Sequence, residues 1–351
     1  MPEFRLFSDD EIAANAADAV SAAIAAGARP EEAIRRSAEA SADLFIERLT
    51  DHMQEQAPLV AGRRDAGIAR LAETWGVALD MYYAVTVAAA ELGTLCSMRR
   101  NEAHTSAESV SSAVALLHAR ACQTALEVHA LLAAGFAGGA YARYRTLHEL
   151  AVTTAVIAEY GRMPAHADLA DRYLSHANIE HYQQAKQYQR FSPHLGWQPF
   201  SKETMRELRR EYDRLTSRYG RSYREPYGWA DGLIKPPLTF ARLEAKANMD
   251  VLRYLYVTGS HLVHASAHGL RMTLVPAQNA ASAGMVGGPS DTRLAQPAQA
   301  SLNALLDITA GLVLHGGPPD DAMILLNLAA LNELRSRTLQ LLGQAETDKA
   351  V

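Results

Sequence analysis

The stretch "GFAGGAYARYRTLHELAVTTAVIAEYG", residues 135–161, decides the fold. Three glycines break the chain at 135, 138 and 139. Arg143, Arg145, His148 and Glu149 follow within seven residues, and then "LAVTTAVIA", residues 150–158, carries no charge on any face. A helix that is uncharged all round is buried. The charged turn before it therefore stands at the edge of a core, where neighbouring elements can bring polar groups to meet it.

Working outward, the same periodicity runs through almost the whole chain. Hydrophobic residues make up 48% of the 351 and aromatics only 7%. The bulk is Ala and Leu, strong helix formers, with few of the β-branched and ring side chains that strands prefer. The expected fold is all-α, a large multi-helix bundle. "SDDEIAANAADAVSAAIAAG" opens with Ser8 and Glu11 as a capping box and closes at Gly27. A helix beginning near Pro30 and a separate long one from about Arg64 to Met98 are expected next. Further helices span about 106–134, the opening stretch to Tyr160, and about 165–190. The charged "SKETMRELRREYDRLTSRYG" has a solvated face, and "MDVLRYLYVTGSHLVHASAHG" runs to Gly269. The polar segment "VPAQNAASAGMVGGPSDTRLAQP" precedes two last helices. The expected organisation is an N-terminal helical region at 1–104, a core helical domain at 105–270, and a loop plus C-terminal helices at 271–351 packing on that core.

A net charge of −5 does not favour nucleic acid as the partner. Cys96 and Cys122 form no CxxC pair, and a reducing cytoplasm fits them. "MPEFRLFSDDEIAA" lacks the basic and apolar regions of a secretory signal. The apolar passage "MYYAVTVAAAELGTLCSM" is interrupted by Glu91, too polar to span a bilayer. A soluble cytoplasmic protein without a membrane partner is expected.

Three helices offer clusters of polar side chains. Arg145 and Glu149 lie four apart with His148 beside them, and Arg172 and His176 repeat that spacing in "DLADRYLSHANIEHY". In "SHLVHASAH", His261, His264 and His268 fall at i, i+3 and i+7, one stripe of a helix. Arg presents a rigid fork that reads carboxylate or phosphate, His moves protons near neutral pH, and Glu orients either. One reading is a pocket for a small anionic ligand, a nucleotide or a phosphodiester. In it Arg145, Arg172, His176, Ser260 and His261 bind, and His264, Glu149 and His148 carry metal-independent acid/base chemistry. Trp229, in the aromatic loop "SYREPYGWADG", caps it. A second reading is a non-catalytic interaction or sensor module, binding a protein partner or a second copy, with the cluster structural. A third places a metal on His264 and His268, with Glu149 or His176 as a further ligand. The expected cofactor is none, with that metal as the alternative. HExxH, paired ExxH, P-loop and GxSxG patterns are absent from the sequence.

With "GAYARYRTLHE" (139–149), "DRYLSH" (171–176), "YGWA" and the spacing of Tyr256, Ser260 and His264, the chain resembles a bacterial family catalogued as domain of unknown function 5677. The resemblance covers roughly residues 115–270. It implies an all-helical fold and a shared polar cluster drawn from Arg145, Glu149, Arg172, His176 and His264, and it implies no activity.

Overall fold

The computed structural model describes residues 10–102, 109–273, 275–276, 285–286, 288–316 and 321–350. Eleven α-helices follow one another among them: α1 (Asp10–Ala25), α2 (Pro30–Glu102), α3 (Ser109–Ala133), α4 (Ala137–Tyr160), α5 (Leu169–Phe191), α6 (Lys202–Tyr219), α7 (Phe240–Lys246), α8 (Arg253–Val263), α9 (Ala267–Thr273), α10 (Ala295–Gly316) and α11 (Ala322–Ala350). Short 3-10 turns lie between several of them. One two-residue antiparallel ladder, β1 (Val275–Pro276) with β2 (Met285–Val286), pairs Val275 with Val286 inside the polar segment after α9. The fold is all-α, and among the described residues no helix is long and apolar enough to cross a membrane. The capping box at Ser8 falls outside the described residues.

The chain divides into two compact units, Met1–Arg70 and Leu71–Val351. In the first, Gly27 turns the chain at φ 92° between α1 and α2, and Ser37 Oγ donates to the Ala16 carbonyl at 2.9 Å. The break expected between about residue 56 and Arg64 is absent. Pro58 stands inside α2, and the helix formers on both sides carry the helix past the hydrogen bond that proline removes.

The second unit holds the core. Residues 71–102, expected to belong to an N-terminal region, join it because Trp75, Leu79, Tyr82, Val85 and Cys96 are buried there. Two of these side chains find polar partners: Trp75 Nε1 donates to the Asp291 carbonyl at 3.0 Å, and Tyr82 Oη to Ser301 Oγ at 3.1 Å. α3 and α4 form a helical hairpin closed by Gly135, whose φ of 79° a side chain would strain. α10 packs along both, and α8 lies on α4. The hairpin's alanines, Ala113, Ala121, Ala125, Ala140 and Ala151, are buried and let the helices approach closely.

Candidate functional site: two polar networks and a cleft between them

The charged turn of α4 finds partners on α8. Arg145 Nη2 donates to Tyr256 Oη at 2.9 Å, and Tyr256 Oη donates to Glu149 Oε1 at 2.9 Å. The guanidinium is also 3.1 Å from Glu149 Oε1 and stacks over the Tyr256 ring at 4.9 Å. This closed triangle forms because α8 can come close to α4 at Gly259, where an added Cβ would lie 2.8 Å from the Tyr141 carbonyl oxygen. One step round the helix, His148 points into the core. Its Nε2 donates to Glu244 Oε1 at 2.8 Å, both side chains are fully buried, and Arg253 bonds the other Glu244 oxygen. A carboxylate taken out of water needs partners on both oxygens, and Glu244 has them; the other ring nitrogen, His148 Nδ1, is buried without a hydrogen-bond partner.

The second network holds a loop. Arg172 Nη2 donates to the Gly228 carbonyl at 3.1 Å, and His176 Nε2 donates to the carbonyls of Tyr223 and Glu225 at 3.1 and 3.0 Å. Tyr223 Oη returns a bond to the Arg172 carbonyl at 2.5 Å. The four-residue spacing of Arg172 and His176 thus clamps three carbonyls of residues 223–228, the segment that carries Tyr227 and Trp229 back toward α4 and α5. Burial, with Ser175 working against it, pushes the Tyr223 phenol up to about 12.

Between the networks lies a cleft of two adjoining parts. One, of 280 Å³, is lined by Glu149, Thr153, Glu180, Tyr227, Trp229 and Phe240 among others. The other, of 340 Å³, is lined by leucines 116, 117 and 174, His176 and Arg120, and shares Leu150, Tyr173, Glu180 and Trp229 with the first. Trp229 is buried and meets Tyr173 edge-on at 5.0 Å. The bond from His176, whose Nδ1 is 3.5 Å away, is the main cause that holds the Glu180 carboxyl below its ordinary range. Burial pushes the Tyr227 phenol up, and Glu149 adds to it, so that ring stays neutral.

The late helix departs from expectation. α8 ends at Val263, His264 is extended at φ −95° and ψ 148°, and α9 starts at Ala267, so the three histidines do not form one stripe. Ser266 causes the break: its Oγ accepts the Gly269 N–H at 3.0 Å and caps a new helix. His261 Nδ1 pairs with Ser266 Oγ at 3.1 Å, and the His261 and His268 rings meet at 4.9 Å. His264 is exposed. Ser260 Oγ bonds back to the Tyr256 carbonyl at 3.0 Å within its own helix. The i, i+4 relation that would let His264 and His268 share a metal is lost with the helix, and no group of three His, Cys, Asp or Glu side chains among the described residues is placed to hold one.

Of the residues singled out in the sequence, Glu149 and His176 line the cleft, as do Tyr227 and Trp229 of the aromatic loop "SYREPYGWADG". Tyr173 and Glu180 were legible in principle, since they share with His176 one face of α5 at helical spacing. Glu244 gave no local signal, because its partners come from α4 and α8.

No curated protein and no solved structure matches the chain. Residues 111–280 match the model of a family described as a family of unknown function (DUF5677). That segment runs from α3 through α9 and contains every member of both polar networks. Over that segment, just under half of the chain, the protein is similar to this family of unknown function.

Proposed function

We propose that residues 111–280 form a small-molecule binding module in which the Arg/His/Glu cluster is scaffold and the cleft between α4, α5 and the 223–230 loop is the ligand site. One observation carries this reading. The charged side chains face one another or backbone carbonyls, while the aromatic-walled cleft beside them is open. Acid/base cleavage of a phosphodiester asks Arg145, Arg172 and His264 to converge on one solvent-filled point. Arg145 is engaged by Tyr256 and Glu149, Arg172 by Gly228, and His264 stands at an exposed turn. Binding without chemistry fits that arrangement better. The buried and unbridged thiols of Cys96 and Cys122 support a reducing, cytoplasmic setting.

The test is a thermal-shift panel of amines, carboxylates, nucleotides, short RNAs and metal ions on the full chain. A ligand at a hundred times its Kd stabilises the native state by about 2.7 kcal/mol, which moves the midpoint of a chain this long by about 4 °C. The expected outcome is one class of ligand whose shift disappears in Thr153→Trp, which fills the cleft, and persists in Arg145→Ala. A phosphate ligand lost in Arg145→Ala and kept in Thr153→Trp would move the site to the arginines and overturn the reading.

A further inference from the structure

We propose that the cleft takes an organic cation, an ammonium head on a short apolar body, with the head between Glu180, Glu149, Tyr227 and Trp229. This rests on the cleft being a ligand site, and it reverses the ligand charge that the arginines suggest in the sequence. The charged side chains that line the 280 Å³ part, Glu149 and Glu180, are both carboxylates, and no Lys, Arg or His lines it among the described residues. Glu180 meets His176 at 3.5 Å and its side chain is 57% exposed, so its oxygens retain acceptor capacity. Arg145 pairs with Glu149 at 3.1 Å but does not line this part of the cleft itself.

The walls match the same chemistry. Tyr173, Tyr227 and Trp229 line this part, and the negative quadrupole of an aromatic face attracts a cation, most strongly where water is excluded. Two carboxylates without aromatics would attract any cation, including a metal ion. Aromatics without carboxylates would take a neutral ring. Together they select a soft, weakly hydrated ammonium. The adjoining 340 Å³ part is walled by leucines 116, 117 and 174 and ends at Arg120. An apolar body fits along those leucines, and Arg120 repels the ammonium from that part and so fixes the orientation. Both volumes suit a ligand of metabolite size.

Isothermal titration of the full chain with three isosteres tests this: choline, the neutral 3,3-dimethylbutan-1-ol and the anionic 3,3-dimethylbutanoate. Choline is expected to bind about tenfold more tightly than the alcohol, and the carboxylate not at all. Glu180→Gln sits at a half-exposed position, so the fold survives it, and it should weaken choline about fivefold while leaving the alcohol unchanged. Tyr173→Leu should weaken choline as well. Equal binding of alcohol and choline, tighter binding of the carboxylate, or choline affinity untouched by both substitutions would overturn the proposal. So would no choline binding even at tens of millimolar. A neutral or anionic ligand from the wider panel, lost in Thr153→Trp, would keep the binding module and remove the cation. No ligand of any class would remove both.

Discussion

His118 sits where α2, α3 and α10 meet, with its ring in the notch left by Gly93 and its Nε2 3.2 Å from Thr309 Oγ1. Burial pushes its pKa down to about 4, from roughly 6.5 in the unfolded chain. The unfolded state therefore binds the proton first. The stability that the neutral ring contributes is complete above about pH 7 and is lost as pH falls from 6.5 toward 4. That window is worth up to about 3 kcal/mol. Urea titrations at a series of pH values should show this decline in the wild type and a flatter profile in His118→Leu. An unchanged slope in the variant would assign the decline to other groups. At this scale the sequence revealed side chains and not their partners. The Arg145–Glu149 pair was legible because helix geometry alone sets i, i+4 contacts. The third member of the triangle, Tyr256, lies more than a hundred residues away, and full burial of the His148–Glu244 pair depends on packing from three elements.

Elements were more legible than residues, since hydrophobic period and capping act over a dozen positions at once. The misread points were those where one residue overrules its neighbours. Ser266 looks like an ordinary polar residue until it caps α9, and Pro58 looks like a stop until helix formers carry α2 through it. Gly259 is a similar single-residue control. A Cβ there would lie 2.8 Å from the Tyr141 carbonyl oxygen and 3.2 Å from Arg145 Cβ, so Gly259→Ala must push α8 off α4. The expected cost is about 1–3 kcal/mol in urea unfolding. Gly76→Ala gives the opposite sign: its nearest neighbour would be Ala72 Cβ at 3.7 Å, and replacing a helical glycine gains up to about 1 kcal/mol. Equal effects of the two substitutions would show that the close approach of α8 and α4 does not matter.

For the whole molecule, the buried cluster begins at Leu71 and, among the described residues, includes none before it. A chain of residues 71–351 should unfold cooperatively with a midpoint within a few degrees of the full protein, as followed by circular dichroism. A large drop would show that the first seventy residues stabilise the rest. The all-α architecture was legible at this scale from composition. The division after Arg70 was not, because α2 runs through it and no change of composition marks it. The position of α10 has one more consequence. This helix, with Leu302, Leu305, Ile308 and Leu312 buried, packs along α3 and α4, yet it lies beyond the 111–280 segment that defines the family. The border of resemblance is thus not a border of foldability. A gene fragment cut to residues 111–280 would encode a bundle with one wall missing.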